Sequence, residues 1–541
     1  MAKEIIIYGQ DYSPINEAFY EEVNVTNKVR TVNKIDEKKL ETLKKALLEL
    51  ENLLVKKSKK ESTEADENEG LLVVGHAHEK DGMPDTEYHI YDPSKGEHGY
   101  FGSLVGTVRT RVGRTAVKIV IRSRFDDFDN NNPDGVKPYF LASLLLCGNL
   151  EFSGMNVDFS YDSLFHFYMI WVLKKHFQEA LLKGLFKKYQ RFERNDDRVR
   201  GAIDISRHIR LNLNMNNGKI TYSYRENSYD NPINHLIVTA YHYLLDNYPD
   251  LTENGFDGDL VKTIRSLEYE IGYPKYDIRT IVSKNIDPVS HPYYFEYEQL
   301  RKDCLMILRD EGLSPFDNID ESVNGILYYV PDLWESYLMQ FFEKGIYLYE
   351  KSVDEDGSGL KICVVDQKMV KVMIDPNNKG HSTYPDYWFT YYLKDKEKSV
   401  PFSILDAKYK TGWDAALHGD LRPDLLGDYD KALRDMVSAC GTSSGVVFPK
   451  RSEGERDINS YTLVHGCSGY NSFQRFYTIP VMVPAAAERR DFYEWEREMS
   501  TGTENLMKEI IEKYLIPDAL RKQKLLKIAD NAFSDIPELE V

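Results

Sequence analysis

Two short segments decide the reading of this chain: Tyr384-Pro385-Asp386 and, twenty residues on, Ile404-Leu405-Asp406-Ala407-Lys408-Tyr409-Lys410. Asp406 ends the apolar run PFSIL (401–405), where a carboxylate is costly unless it is used. Side chains alternate faces along a strand, so Phe402, Ile404, Asp406 and Lys408 are expected to share one side. A carboxylate and an ammonium two residues apart then converge on one point. Asp386, at the start of a neighbouring strand, brings a second carboxylate. Two carboxylates with the backbone carbonyl of Ala407 are hard oxygen donors suited to Mg²⁺, with Mn²⁺ as a substitute. A nearby lysine orients or deprotonates water and offsets charge on a phosphorane-like transition state, while the metal supplies the Lewis acid. Such a set hydrolyses phosphodiesters. The bland alternative is an ordinary surface ion pair.

Working outward, PDLWESYLMQFFEKGIYLYEK (331–351) has Leu333, Trp334, Tyr337, Leu338, Phe341 and Phe342 at helical spacing. Strand-like runs follow at 360–374, 385–394 and 400–410, then a helix at 424–440 and strands at 444–448, 459–465 and 476–483. Helix, three strands, helix, strand predicts a mixed α/β core. Residues 487–498 and 503–528 read as helical.

Upstream, residues 36–58 carry Leu40, Leu43, Leu47, Leu50 and Leu54 at three- and four-residue steps, an amphipathic helix suited to a docking arm or cap. A polar tract (56–70) follows, with the composition of a linker. From 71 to about 125 the runs are short and β-rich. Residues 139–152 and 160–190 read as helical. A helix is expected at 231–247, with Asn231 as its cap and Pro232 in its first turn.

Composition excludes several classes. The 541 residues imply three or four domains and carry 69 Lys or Arg against 87 Asp or Glu, a net −18. Coating nucleic acid by charge alone is excluded by that balance. No run of about 18 apolar residues predicts a membrane span. The start, MAKEIIIYGQDYSP, lacks an apolar signal core, and the five dispersed cysteines form no CxxC, so a cytoplasmic protein with reduced thiols is expected. Basic islands stand out nonetheless. Residues 183–219 hold ten Lys or Arg, including Arg198, Arg200, Arg207 and Arg210, against four acids, and 109–124 hold six basic residues and no acid. They are candidate phosphate or partner contacts, the alternative being a solvated basic face.

Pro385-Asp386 and Asp406-Ala407-Lys408 resemble the signature of the PD-(D/E)xK nuclease superfamily, whose core has the same α-β-β-β-α-β order. The resemblance implies that an acid on the first core helix, Glu335 by position, completes the metal shell. It also implies that the helix after the DxK lends a polar residue, with Lys431 the candidate in LLGDYDKALRDMVSACG. Further upstream, the chain resembles McrC, the nuclease subunit of modified-cytosine-dependent McrBC restriction systems. The pieces occur in order: VGTVRTRVGRTAVKIVIRSRF (105–125), Gly184-Leu185, Arg200-Gly201-Ala202-Ile203-Asp204 and Pro232-Ile233-Asn234. Two features depart from McrC: added segments at both ends, and DYDKALRD in place of a Gln- or Tyr-containing helix.

McrC-like identity implies a partner, an McrB-like AAA+ GTPase or ATPase hexamer, and double-stranded DNA as substrate. This chain has no GxxxxGK[ST] of its own. The resemblance places residues 71–300 in or on the ring, with an Arg from 198–210 reaching toward its nucleotide. The expected organisation is an N-terminal arm and linker (1–70), a β-rich domain (71–130), a mainly helical partner-binding region (131–325), a restriction-endonuclease-like α/β domain (326–485) and a C-terminal helical tail (486–541). A catalytically silent assembly subunit and a stand-alone repair nuclease are the competing readings. Gly441-Thr442-Ser443-Ser444-Gly445 matches GxSxG but follows a helix and precedes a strand, the reverse of a hydrolase elbow. His76, His78, His89 and His98 lack the companions of a metal site.

Overall fold

The computed structural model describes residues 4–23, 32–59, 71–74, 89–113, 115–126, 137–146, 161–213, 218–272, 277–309, 323–354, 360–366, 370–374, 380–392, 399–410, 412–413, 423–451, 458–464, 471–485 and 491–533. His76, His78, Cys147, Cys467 and the tract 60–70 lie outside them. The architecture is mixed α/β with several sheets.

The chain opens with β1 (Glu4–Gln10), β2 (Phe19–Val23), β3 (Val32–Lys34), helix α1 (Glu37–Lys59) and β4 (Leu71–Val74). A small pair, β5 (Tyr91–Asp92) and β6 (Tyr100–Phe101), precedes the long hairpin β7 (Leu104–Val112) and β8 (Thr115–Arg122). Residues 4–10, for which the sequence pattern predicts no strand, lie between β2 and β8, pairing parallel with β8. The leucine stripe of α1 is buried against this sheet, with Leu43, Leu47 and Leu50 fully enclosed, so the helix caps it.

A helical region follows: α2 (Tyr139–Leu146) and α3 (Tyr161–Leu181), then, after a small sheet, α5 (Pro232–Asn247), α6 (Pro249–Gly255), α7 (Gly258–Ile271), α8 (Ile278–Lys284) and α9 (Glu296–Arg309). Asn231 accepts the Asn234 N–H at 3.1 Å and Pro232 occupies the first turn of α5, as expected. The helix expected to reach 190 ends at Leu181. Gly184 adopts φ +81°, a left-handed conformation that glycine takes without a Cβ penalty, and β9 (Lys188–Asp196) begins four residues later. The small sheet comprises β9, β10 (Ala202–Ile203) and β11 (Ile220–Ser228), with α4 (Ile205–Asn212) against β11. Strand β12 (Asn324–Tyr329) then returns to the first sheet, giving the order β3-β2-β1-β8-β7-β12-β4.

From β12 the chain runs directly into α10 (Val330–Asp354). Next come β13 (Ile362–Asp366), the pair β14 (Val370–Ile374) and β15 (Gly380–Thr383), then β16 (Tyr387–Tyr392), β17 (Ser399–Ala407), α11 (Pro423–Ser438), β18 (Ser443–Arg451), β19 (Asn459–Val464) and β20 (Asn471–Val483). Helices α12 (Phe492–Ile510) and α13 (Ile516–Phe533) finish the chain, joined by a π-helical turn at Ile511–Leu515. The sheet order is β13-β16-β17-β18-β20-β19, antiparallel at its edges and parallel through β17, β18 and β20. Trp334, Leu338 and Phe342 of α10 and Trp495, Met499 and Met507 of α12 share one continuous core with this sheet and the upstream helices. A Cβ on Gly345 would come within 2.8 Å of Ile511 Cδ1, so glycine there lets the two helical layers close. The opposite face carries α11, whose Leu425 and Ala432 pack with Trp413, Val446 and Phe448.

One expectation about faces is corrected. Phe402 does not share a side with Ile404, Asp406 and Lys408. The pairing of β16 with β17 slips between Phe389 and Thr390, which skips Phe402, so alternation breaks there. Phe402 joins the core containing α10, whereas Ile404 packs with Trp388 and Ala439 beyond the other face.

Candidate functional site

The pairing that builds the sheet also builds a cluster of charge at its rim. Tyr387 of β16 pairs with Leu405 of β17, which sets Asp386 beside Asp406 and Ala407. Asp386 Oδ2 accepts the backbone N–H of Ala407 at 2.6 Å. Ala407 pairs in parallel with Val447 of β18, and the Lys408 N–H donates to the Val447 carbonyl at 2.9 Å, the last rung at this end. Helix α11 supplies the third side. Its apolar stripe faces β18, which turns Lys431 and Asp435, one helical turn apart, toward the rim.

Two ammoniums converge on one carboxylate. Lys408 pairs with Asp406 Oδ2, and Lys431 donates to Asp406 Oδ1 at 2.7 Å. Lys431 also lies 4.0 Å from Asp386 Oδ1 and 3.8 Å from Asp435 Oδ2, and donates to the Tyr384 carbonyl at 3.4 Å. Beyond this set, Lys410 pairs with Asp428 at 2.8 Å. Asp406, Asp386 and Asp435 are all buried.

The two neighbouring carboxyls of the motif have opposite character. Burial alone would raise Asp406, but the charges of Lys408 and Lys431 outweigh it and hold the carboxyl well below its usual range. Burial, with the like charges of Asp406 and Glu335, pushes Asp386 well above its own. Burial disfavours the Lys408 ammonium, yet Asp406 and Asp386 more than compensate and raise it, and Lys431 is raised in the same way. Asp435 is raised by burial.

Asp386, Asp406, Lys408 and Lys431 are thus brought together. Glu335 sits on the first turns of α10, close enough for its charge to act on Asp386, and its backbone carbonyl accepts the Tyr387 hydroxyl at 2.8 Å. Sequence reasoning misses two acids. Asp332, one turn before Glu335 on α10, is pushed up to about 7 by burial and by Asp386. The i, i+3 spacing within DLWE carries that signal. Asp435 lies on the helix that supplies Lys431, where sequence alone assigns it no role. Among the described residues no three His, Cys, Asp or Glu side chains gather into a ready metal cage. The oxygens able to contribute to one are those of Asp386, Asp406, Glu335 and the Ala407 carbonyl. Ser443, the serine of the GxSxG match, is buried and donates to the Ser403 hydroxyl at 2.9 Å, and His89 contacts Glu51 at 2.6 Å.

A family model described as McrBC 5-methylcytosine restriction system component matches residues 100–421, about three fifths of the sequence. The chain belongs to the McrBC family. The matched span includes Asp386, Asp406 and Lys408 and ends before Lys431. Two solved structures from Thermococcus gammatolerans are similar. One is a half-complex from a tetradecameric assembly of McrB AAA+ hexamers with bound McrC, at 13% identity and TM-score 0.40, covering 93% of this chain and 100% of that one. The other is the cryo-EM McrBC complex, at 13% identity and TM-score 0.28, covering 63% and 88%. No curated protein matches.

The four arginines singled out in this McrBC family member lie elsewhere, Arg198 and Arg200 in the connection between β9 and β10 and Arg207 and Arg210 on α4. Arg198, Arg200 and Arg210 are exposed, while Arg207 pairs with Glu193. Beside them Tyr189, Ile203, Ile205, Ile209, Leu211 and Leu213 are exposed, Ile205 at 68% and Leu213 at 70%. No helix among the described residues is long and apolar enough to cross a membrane.

Proposed function

We propose that this chain is the metal-dependent DNA-cleaving subunit of an McrBC-type restriction complex, with a PD-(D/E)xK core in residues 326–485. The carrying observation is the convergence of Asp386, Asp406 and Lys408 at the ends of two adjacent β-segments, with Lys431 arriving from α11. Mg²⁺, with Mn²⁺ as substitute, suits this set. Every candidate donor is oxygen, and Asp406 is a buried carboxylate whose charged form is favoured by its two lysines. The carboxyls of Asp332, Asp386 and Asp435 are all raised by burial, and a bound cation would relieve that cost. The lack of a three-acid cage is compatible with Mg²⁺, which commonly uses one or two carboxylates and takes its other ligands from water and substrate phosphate.

Bound there, the metal supplies Lewis acidity and a water more readily deprotonated at neutral pH. Asp386 and Asp406 hold it, with Glu335 assisting. Lys408 orients the attacking water and, with Lys431, offsets charge gathering on the phosphate of double-stranded DNA. The exposed apolar and basic face of β9–β11 and α4 is the docking surface for an McrB-like AAA+ hexamer, a GTPase or ATPase, as McrC is bound to McrB hexamers in the Thermococcus complex. Arg198, Arg200 and Arg210 are the candidates for ring or phosphate contact.

The test is cleavage by the purified chain plus its AAA+ partner. Lys408→Gln should lower the rate by about 10²–10⁴ while leaving partner binding intact. Undiminished cleavage by Lys408→Gln and Asp406→Asn together would remove the site. A silent assembly subunit is the second reading, favoured by the occupation of both Asp406 oxygens by lysines. Absence of metal-dependent nicking in the wild-type complex would favour it.

A further inference from the structure

The segment that leaves β17 through Lys408 presents a second, unused side. Tyr409 follows Lys408 and points the opposite way, into a buried junction between the N-terminal sheet and the β17–β18 rim. Its hydroxyl donates to Asp11 Oδ2 at 2.7 Å and contacts the Ser123 hydroxyl at 2.8 Å. The Arg124 guanidinium lies 4.2 Å from the centre of its ring, and Phe140 stacks on it at 6.2 Å. Asp11 is held in turn: its Oδ1 accepts the Arg124 N–H at 2.7 Å, and the Arg124 side chain sits 3.7 Å from its Oδ2. Arg451, at the end of β18, donates to the carbonyls of Arg124 and Asp126 at 2.8 and 2.9 Å, closing the junction from the adjoining strand.

We propose that Asp11 and Tyr409 are positioning residues for Lys408, so that the N-terminal sheet sets the placement of the lysine; this rests on the nuclease reading above. Past Ala407 the β17 ladder is finished, and the Lys408 backbone keeps a single rung to Val447. The next side chain is therefore the second tether that fixes where Lys408 projects. A buried charged network is a poor source of stability compared with apolar packing of the same volume. What it supplies is one defined geometry, and misplacement of a reacting group by about 1 Å costs roughly 10²-fold in rate.

The experiment uses the full chain with its AAA+ partner and Mg²⁺. Tyr409→Phe keeps the ring and removes the tether; Asp11→Ala removes its other end. Each should lower the turnover number about 10- to 100-fold while the DNA concentration for half-maximal rate moves less than about threefold. The double variant should be no worse than either single one, because both cut the same link. Asp11→Asn keeps an acceptor oxygen and should recover a large part of the rate. A readout independent of cleavage is the labelling of Lys408 by an amine-reactive reagent, followed by mass spectrometry in the chain alone. It should be faster in Tyr409→Phe than in wild type. Wild-type turnover and unchanged labelling in Tyr409→Phe, or additive losses in the double variant, would overturn the inference while leaving the nuclease reading intact. Failure of the wild-type complex to cleave would instead overturn the nuclease reading, and labelling would still decide whether Tyr409 positions Lys408.

Discussion

Replacing Asp386 and Asp406 by asparagine, one at a time, should give two different proteins. Asp406 faces two ammoniums that are only 15% and 28% exposed. Removing its charge leaves both without their main partner, and breaking a buried pair costs about 3–5 kcal/mol. At about 2 °C per kcal/mol the unfolding midpoint should drop by roughly 6–10 °C in the absence of metal. Asp386 is the reverse. Its carboxyl is pushed up by burial and by Asp406 and Glu335, so its charge adds little to the metal-free fold, and its clear partner is a backbone N–H that an amide oxygen also accepts. Asp386→Asn should therefore change metal-free stability by no more than about 1 kcal/mol. With Mg²⁺ at about 100 times its dissociation constant, wild type should gain about 2.7 kcal/mol, and Asp386→Asn should lose most of that gain. Thermal unfolding with EDTA and with Mg²⁺ reads both quantities. If Asp386→Asn is destabilised as much as Asp406→Asn, or keeps the full Mg²⁺ shift, the assignment of charge and metal in this site is wrong.

Three further outcomes can be checked. Because the raised Asp386 carboxyl must lose its proton to hold a cation, Mg²⁺ affinity should strengthen as pH rises, which calorimetric titration at several pH values measures. The His176 Nδ1–H donates to Asp303 Oδ2 at 2.5 Å, and that hydrogen bond raises its pKa above 6.5. Its charged-state stabilisation is complete below pH 6.5 and disappears as pH passes the raised value, so His176→Gln should cost more stability at about pH 6 than at about pH 9 in denaturant titrations. Ile205→Asp with Ile209→Asp should abolish binding to the AAA+ ring in pull-down or sedimentation experiments and leave the melting curve within the small range typical of exposed sites, about 0.5 kcal/mol.

Much of the second half of the chain is legible in its residue pattern. Strands at 385–394 and 400–410 and the helix at 424–440 correspond to β16, β17 and α11 within a few residues, because their alternation or helical spacing is strong. Asp386, Asp406 and Lys408 stand out because a charge terminating an apolar run is locally anomalous. The first half is harder. Residues 188–196 are exposed or half-buried in irregular order, so β9 carries no clean two-residue period, and β1 is concealed by its position before a polar turn. Phe402 lies on the opposite face because a one-residue slip in pairing is invisible to a rule of strict alternation.

What local sequence determines here is a set of elements and the residue types at their ends, since hydrophobic period and charge cost act over a few neighbouring positions. What requires the tertiary structure is partnership. Lys431 reaches Asp406 from 25 residues away, and Asp11 reaches Tyr409 from 398 residues away. Such contacts depend on how sheets and helices stack and where registers slip, and those are settled by the packing of the whole core.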